Sequence, residues 1–328
     1  MAKKKKQDII EVPPELTITQ ELQNKVDQLL KTSKRDVVSY WDPKDTEFIY
    51  VPVDGGEIRV IHVKAENPKN KQPIIHLPGW GVIPIGFNVL YEVLHEEYEF
   101  YYIETREKGS SKIKKRKANM TILQKAKDVQ KALDYLGFAN KEFTLFSPCW
   151  GATIAIVGIK ENILKIPRLI TFDPMHRLWF NRFIINISPI IPAFVFSIIK
   201  PILMFFAFLG MKEKSQLERS KQFAKNAIIW KWKRAAYKVK DLELYGTMGS
   251  IQQEILVFNG TTDKIHEQSE YPKLAKELPK GRFFFMKIDE SNRERLQAIV
   301  MKEFANVEGK SGIPPSLLQF EKNLQREK

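Results

Sequence analysis

The chain has 328 residues, 43% of them hydrophobic, a single cysteine and a formal net charge of +14. That length and apolar fraction can bury a sizeable core, in the range where a sheet enzyme stays single-domain, and they exclude a wholly disordered chain. One cysteine excludes an intrachain disulfide framework and fits a reducing compartment, and the charge points to an anionic partner or surface.

Residues 1–45 read as a basic tail followed by an accessory helix. Met1-Ala2-Lys3-Lys4-Lys5-Lys6 leads into Gln7-Asp8 rather than an apolar run, so no signal peptide is visible. Leu22, Val26, Leu29 and Leu30 recur at helical spacing within residues 15–34. Residues 48–63 predict a hairpin about Asp54-Gly55-Gly56, a strong turn signal. Strand and helix patterns then alternate. Apolar runs at 74–77, 101–103, 143–146, 169–172, 255–258 and 283–288 predict central strands. Near-continuous apolar strands separated by helices mean a parallel sheet covered on both faces. The chain divides into a first core segment (46–174), an inserted segment (175–250), a second core segment (251–310) and a C-terminal tail (311–328).

Within the first core segment, Phe146-Ser147-Pro148-Cys149-Trp150-Gly151 joins a strand-like run to a helix-like run. It is a small-X-nucleophile-X-small pattern centred on Cys149. A strand-to-helix turn this sharp would bring bulky residues two positions either side into collision, and Ser147 and Gly151 avoid that. The turn would lift Cys149 onto the N-terminus of the next helix, where N–H groups and the helix dipole favour a thiolate.

From residue 73 to 174 the chain resembles the α/β-hydrolase superfamily. Pro78-Gly79-Trp80-Gly81 resembles the oxyanion loop, with Pro78 where the motif often has His. Glu104-Thr105-Arg106-Glu107-Lys108-Gly109-Ser110-Ser111 is similar to the Asp-X-Arg-Gly-X-Gly-X-Ser turn, with Glu104 for Asp and Glu107 for Gly. Residues 121–137, with Asp128, resemble the helix before the elbow, and 166–174 the strand after it. Residues 255–263 resemble the later strand whose loop carries the catalytic acid. The resemblance implies an α/β fold with a mostly parallel central sheet and a helical cap formed by 175–250. It makes Cys149 the nucleophile, the backbone N–H groups of Trp80 and Trp150 the oxyanion donors, and Asp263 the acid. It implies no cofactor and no metal.

The family's catalytic His follows its last strand. Here that strand runs into Asp289-Glu290-Ser291-Asn292-Arg293, and no His follows His266. His266, three residues after Asp263, is the candidate base, with another residue of the cap as the other possible source; the alternative for His266 is a surface loop residue. Asp263 could instead cap the helix towards Tyr271, and Cys149 could be a small buried hydrophobe. His76 reads as a strand residue packed behind the oxyanion loop. Two functional classes follow. One is a hydrolase or acyltransferase acting on an ester or thioester of an apolar, lipid-like acid. The other is a catalytically degenerate homologue that binds lipid or a membrane partner. A Cys elbow beneath an apolar cap also resembles the polyester synthases, which act on hydroxyacyl thioesters.

The inserted segment is unusual in itself. Residues 183–210 contain one charge, Lys200, together with Pro189, Pro192 and Pro201. The prolines break the run, so two or three short helices are expected rather than a membrane span, with Lys200-Pro201 dividing them. From Arg177 to Lys240 there are 13 Lys or Arg and 2 acidic residues, an excess of 11. Trp230 and Trp232 lie among these cations, a composition suited to a membrane interface. Two compatible readings stay open for the segment: a cap with an apolar underside and a solvated basic exterior, or a surface that binds a membrane interface. An apolar acyl substrate or lipid is the expected partner, joined on the second reading by an anionic membrane surface, and the expected location is cytoplasmic, at an inner membrane face on that second reading. The cluster Lys112 to Lys117 reads as a solvated face, and without a nucleic-acid motif the charge gives little reason to expect nucleic acid. Oligomeric state stays open.

Overall fold

The computed structural model describes residues 46–68, 72–139, 141, 143–178, 182–208, 214–260, 269–288, 293–306 and 312–324. Before these it describes 12–13, 16–17, 19–22, 24–25 and 28. In chain order, the first core segment contains β1 (Thr46–Val53), β2 (Gly56–Val63), β3 (Ile74–His76), α1 (Asn88–Leu94), β4 (Phe100–Ile103) and β5 (Lys112–Ile113). It continues with α2 (Ile122–Tyr135), β6 (Thr144–Pro148), α3 (Cys149–Lys160) and β7 (Arg168–Phe172). The inserted segment holds α4 (Arg182–Ile187), α5 (Ala193–Phe208), α6 (Lys214–Asn226) and α7 (Ile229–Lys238). The remainder forms β8 (Ile255–Asn259), α8 (Glu270–Glu277), β9 (Gly281–Phe285), α9 (Arg293–Asn306), α10 (Pro315–Leu318) and β10 (Glu321–Lys322).

The strands form one sheet in the order β1-β2-β4-β3-β6-β7-β8-β9-β10, with β5 also paired to β2. From β4 to β9 every pairing is parallel; the hairpin at one edge and β10 at the other are antiparallel. Each predicted central strand is one of these parallel members. They read as unbroken apolar runs because helices cover both faces of the sheet, and a separate cluster of buried side chains fills each side. The predicted hairpin turn is also present. Gly55 at its tip has φ +79, a conformation glycine adopts without steric cost.

Helix α3 lies directly behind the elbow. It is buried from Trp150 to Ile159, and so it is apolar on every face rather than amphipathic. Helix α2 begins at a Thr121 cap whose hydroxyl accepts the Gln124 N–H at 3.3 Å. His76 in β3 is enclosed by Phe87, Phe100 and Tyr102. Burial first, then the nearby Lys108 charge, lowers its pKa to about 3, so the ring is neutral at physiological pH. This is the packed strand residue expected of it. Of the accessory helix, Gln20, Glu21, Leu22, Asn24, Lys25 and Gln28 are described and helical. Leu22 packs against the core, and Lys25 pairs with Glu92 at 2.5 Å; Val26, Leu29 and Leu30 lie outside the described residues.

Two expectations need correction. Lys200-Pro201 does not divide two helices: α5 runs through it from Ala193 to Phe208. Pro201 cannot donate to the Ser197 carbonyl, but both residues are exposed, so water can take the place of the missing N–H. Second, 311–328 is not simply a tail. Leu317 and Phe320 are fully buried in the core, and β10 pairs with β9. Arg282 on β9 meets Glu321 on β10 through two hydrogen bonds of 2.7 and 2.6 Å.

Candidate active site

At the end of β6 the chain turns into α3 with Cys149 at φ +50. A non-glycine residue in the left-handed region costs on the order of 1–3 kcal/mol and persists only where its surroundings enforce it. Here they do. A Cβ on Gly151 would overlap the Leu77 carbonyl oxygen and lie 2.7 Å from that of Pro78. Ser147 Oγ donates to that Leu77 oxygen at 2.7 Å, and Leu77 N–H donates to Phe146 O at 2.9 Å. The loop after β3 is thus fastened to the elbow. Gly79, in the same loop, faces the cysteine: a Cβ there would sit 3.2 Å from Cys149 Cβ and 3.6 Å from its Sγ. Gly151 is therefore required by contact, and Ser147, the other small residue of the pattern, ties the elbow to the loop through its hydroxyl.

The loop after β3 is also held from its other side. Lys108, fully buried, donates from Nζ to Gly79 O at 2.5 Å and Val82 O at 2.7 Å. Burial lowers its pKa to about 8 against the opposing pull of Glu107 and Glu104. Lys231 on α7 reaches the same region and donates to Lys108 O at 2.7 Å and Ser111 O at 2.5 Å. Its pKa also falls to about 8, again through burial. Beneath them Lys125 and Glu107 form a buried ion pair at 3.2 Å. Burial alone would raise Glu107, but Lys125 and Lys108 outweigh it and hold the carboxyl below its ordinary value. Lys125 Nζ also sits 4.5 Å over the Trp80 ring. Arg106 clasps Asp128 through two hydrogen bonds of 2.6 and 2.7 Å, and Ser110 and Arg59 both donate to Glu104. The substituted turn at 104–111 thus keeps its carboxylate and guanidinium engaged. Lys108 went unremarked in the sequence because the family pattern places no demand on its position.

Trp80 and Trp150 meet edge to face with centroids 6.0 Å apart, and Trp80 meets Trp232 of α7 in the same way. Gly81, at φ +65, leaves no room for a side chain against the Trp232 ring. Trp230 packs against the core. Both α7 tryptophans thus pack the inserted helices onto the core, and Trp230 also lines a surface cleft beside Lys233 and Arg234.

The inserted segment also brings Met175 to the nucleophile position, with its Sδ 3.3 Å from Cys149 Sγ. Asp173, at the end of β7 with φ +47, is buried. Its Oδ1 accepts from Asn259 Nδ2 at 2.5 Å, and its Oδ2 lies 3.6 Å from Arg293 Nε. Tyr271 on α8 is buried, and its hydroxyl meets no partner among the described residues. Burial and the charges of Asp173 and Cys149 keep this phenol from ionising. Asp173, Arg293 and Tyr271 were not singled out in the sequence. Asp173 read only as a strand end, and the other two lie on helices with no motif to mark them. Asp263 and His266 lie outside the described residues. His176 is held by Glu243 at 2.7 Å and stacks on Tyr245. No cluster of potential metal ligands occurs among the described residues.

The sequence matches no family model, and no curated protein resembles it closely enough to be matched. The structure does have relatives. A hydrolase from Pseudomonas aeruginosa PA01 superimposes with a TM-score of 0.61 at 14% identity, over 79% of this chain and 99% of that one. A thermophilic esterase from Thermogutta terrifontis gives 0.59 at 16% identity, over 79% and 96%. A membrane phospholipase A gives 0.59 at 12% identity, over 87% and 90%. The chain has the α/β-hydrolase fold. Within this α/β-hydrolase fold, Cys149 occupies the strand-to-helix elbow, and the stretch after β9, where the family has its His, leads into Arg293 and its contact with Asp173.

Proposed function

We propose that the protein is a hydrolase or acyltransferase that takes an ester or thioester of an apolar acid through Cys149. The observation that carries this reading is the left-handed backbone of Cys149, enforced on one side by Gly151 and faced by Gly79 on the other. A merely structural cysteine gains nothing from that strain. The esterase and hydrolase folds to which the chain is similar support the same chemistry.

In this mechanism the Cys149 thiolate attacks the acyl carbonyl carbon, and the carbonyl electrons move to oxygen. The backbone N–H groups of Trp80 and Trp150 receive that oxyanion; a single such donor is typically worth about 100- to 1000-fold in rate. Collapse of the tetrahedral adduct breaks the bond to the alcohol or thiol, which leaves with a proton and gives an acyl-Cys149 thioester. Water, or another nucleophile in a transferase, then attacks the thioester and restores the thiol. His266 supplies the base, oriented by Asp263. A thiol depends on such a base less than a hydroxyl does, because a few per cent is ionised at neutral pH unaided.

A second reading, a degenerate homologue that binds lipid, is favoured by two contacts. Cys149 Sγ touches a thioether, and Asp173 is engaged by Arg293 and Asn259. Turnover of short p-nitrophenyl esters and acyl thioesters separates the readings. The enzyme reading expects measurable turnover, abolished in Cys149→Ala and lowered about 100-fold or more in His266→Ala. Failure of the wild-type chain to release acid or transfer acyl groups across both panels would establish the binding protein instead.

A further inference from the structure

Large apolar side chains on α4, on the turn after it and on α5 are left in water. Ile190 is 84% exposed, Phe183 71%, Ile198 68% and Phe194 64%, and Ile202 is also exposed. Ile190, Phe194, Ile198 and Ile202 follow one another at intervals of four residues. Three of them are on α5, so they form a stripe along one side of that helix. Such a stripe is ordinarily turned towards a core, and here it is turned away from one.

Beside the start of this stripe lies a cleft of about 410 Å³. Pro189 and Ala193, immediate neighbours of Ile190 and Phe194, form part of its wall. The rest includes Lys115, Lys233, Arg234 and Lys238, with no carboxylate among the lining residues. Arg234 donates to the Lys115 backbone carbonyl at 2.5 Å, so the basic run at 112–117 and the basic helix α7 are drawn to one place. Lys233 Nζ donates to the Ile191 carbonyl at the cleft edge, and burial first, then the neighbouring charges of Arg234 and Lys115, lowers its pKa.

We infer that the α4–α5 face, together with the Lys115–Lys233–Arg234–Lys238 cleft, docks this protein on an anionic phospholipid bilayer. The apolar stripe enters the headgroup boundary, and the cleft receives lipid phosphates. The pairing of exposed aliphatic and aromatic side chains with an acid-free basic cleft selects a lipid surface over an apolar protein groove. The excess of 11 positive charges between Arg177 and Lys240 supplies the long-range attraction. Docking is along the surface, not across it. Among the described residues no helix is long and apolar enough to cross a membrane, and the 16 residues of α5 span about 24 Å against about 30 Å of hydrocarbon. The surface stands independently of the chemistry at Cys149.

The test is co-sedimentation of the full chain with phosphatidylcholine vesicles, with and without about 30% phosphatidylserine, at about 50 and 500 mM salt. Binding is expected on the anionic vesicles at low salt, with a weaker residue at high salt. Phe194→Ser with Ile198→Ser, and separately Lys233→Glu with Lys238→Glu, should each weaken it about tenfold or more. Phe48→Ser and Cys149→Ala should bind as the wild type does. A wild-type chain that stays in the supernatant with anionic vesicles at low salt overturns the inference. It is also overturned if the Phe194/Ile198 variant binds normally while millimolar inorganic phosphate displaces the protein, since that would leave a phosphate site alone. A wild-type dimer that the Phe194/Ile198 variant dissolves would identify the occupant as a second copy and likewise overturn it.

Discussion

The strain at Cys149 is a property of two glycines as much as of the cysteine. Gly151 faces backbone oxygens that cannot withdraw: an added Cβ would overlap Leu77 O and crowd Pro78 O. Gly79 faces a side chain, with Cys149 Cβ at 3.2 Å and Sγ at 3.6 Å from the added carbon. These distances predict different outcomes for the same substitution. Gly151→Ala must displace the loop or the helix and should destabilise the fold by about 1–3 kcal/mol, read as a lowered urea midpoint. Gly79→Ala has an ordinary backbone and a rotatable neighbour, so stability should change little. The added methyl should nonetheless deflect Sγ and slow its alkylation by iodoacetamide several-fold. Equal effects of the two variants on both readouts would mean that Gly79 does not face the sulfur. The elbow was legible in the sequence because its steric rule acts over two residues either side. The contacts of Asp173 were not, because Asn259 and Arg293 lie 86 and 120 positions away and neither carries a local signature.

Helix α7 shows what an element's composition conceals. Its charge and tryptophans suggested a face turned outwards, yet Lys231 is buried and Trp232 lies against Gly81. A lysine is readable as buried only when the carbonyls that accept from it are known, and those of Lys108 and Ser111 come from a turn 123 and 120 residues earlier. This latch has a pH signature. The pKa values of Lys108 and Lys231 fall to about 8 in the folded chain, against about 10.4 when unfolded. Between those values the unfolded chain holds more protons, so folding stability rises with pH from about 8 towards 10. Each lysine contributes at most about 3 kcal/mol to the rise. Tyr271, kept from ionising by burial, opposes the trend above about pH 10, where an unfolded tyrosine ionises. Urea titrations at pH 7.5 and 9.5 should show the gain in the wild type and a smaller one in Lys231→Met. An unchanged gain in that variant would exclude Lys231 from the effect. The variant should also be less stable at pH 7.5 by about 1–3 kcal/mol, since two buried carbonyls lose their donor.

For the molecule as a whole, the parallel sheet poses the problem of its edges. A hairpin closes one side: β1 covers β2, and β2 covers β4. At the other side β9, with Phe283, Phe284 and Phe285 all buried, would present an apolar edge, the kind that pairs with other chains. The two residues of β10 cover it, tied down by Arg282–Glu321 and by Phe285 N–H donating to Phe320 O at 2.9 Å. So short a strand contributes little through its ladder. What holds it is the burial of Leu317 and Phe320 in the cluster that also contains Phe284, Leu256 and Phe304. The α/β pattern made the central strands legible, since each is a run of neighbouring apolar residues, but this closure rests on a few apolar side chains, Leu317 and Phe320 foremost, scattered in a stretch with no strand or helix period. Phe320→Ala should therefore cost about 3–5 kcal/mol, the usual penalty for emptying a buried phenylalanine site. Because the lost anchor also frees β10, the variant should aggregate below its unfolding midpoint, visible as light scattering that precedes the loss of helical circular dichroism. Leu318→Ala, two residues earlier but exposed, is the control and should leave both signals within about 0.5 kcal/mol of the wild type. A Phe320→Ala chain as stable and as soluble as that control would show that β9 needs no cover, and that the C-terminal segment lies on the sheet without securing it.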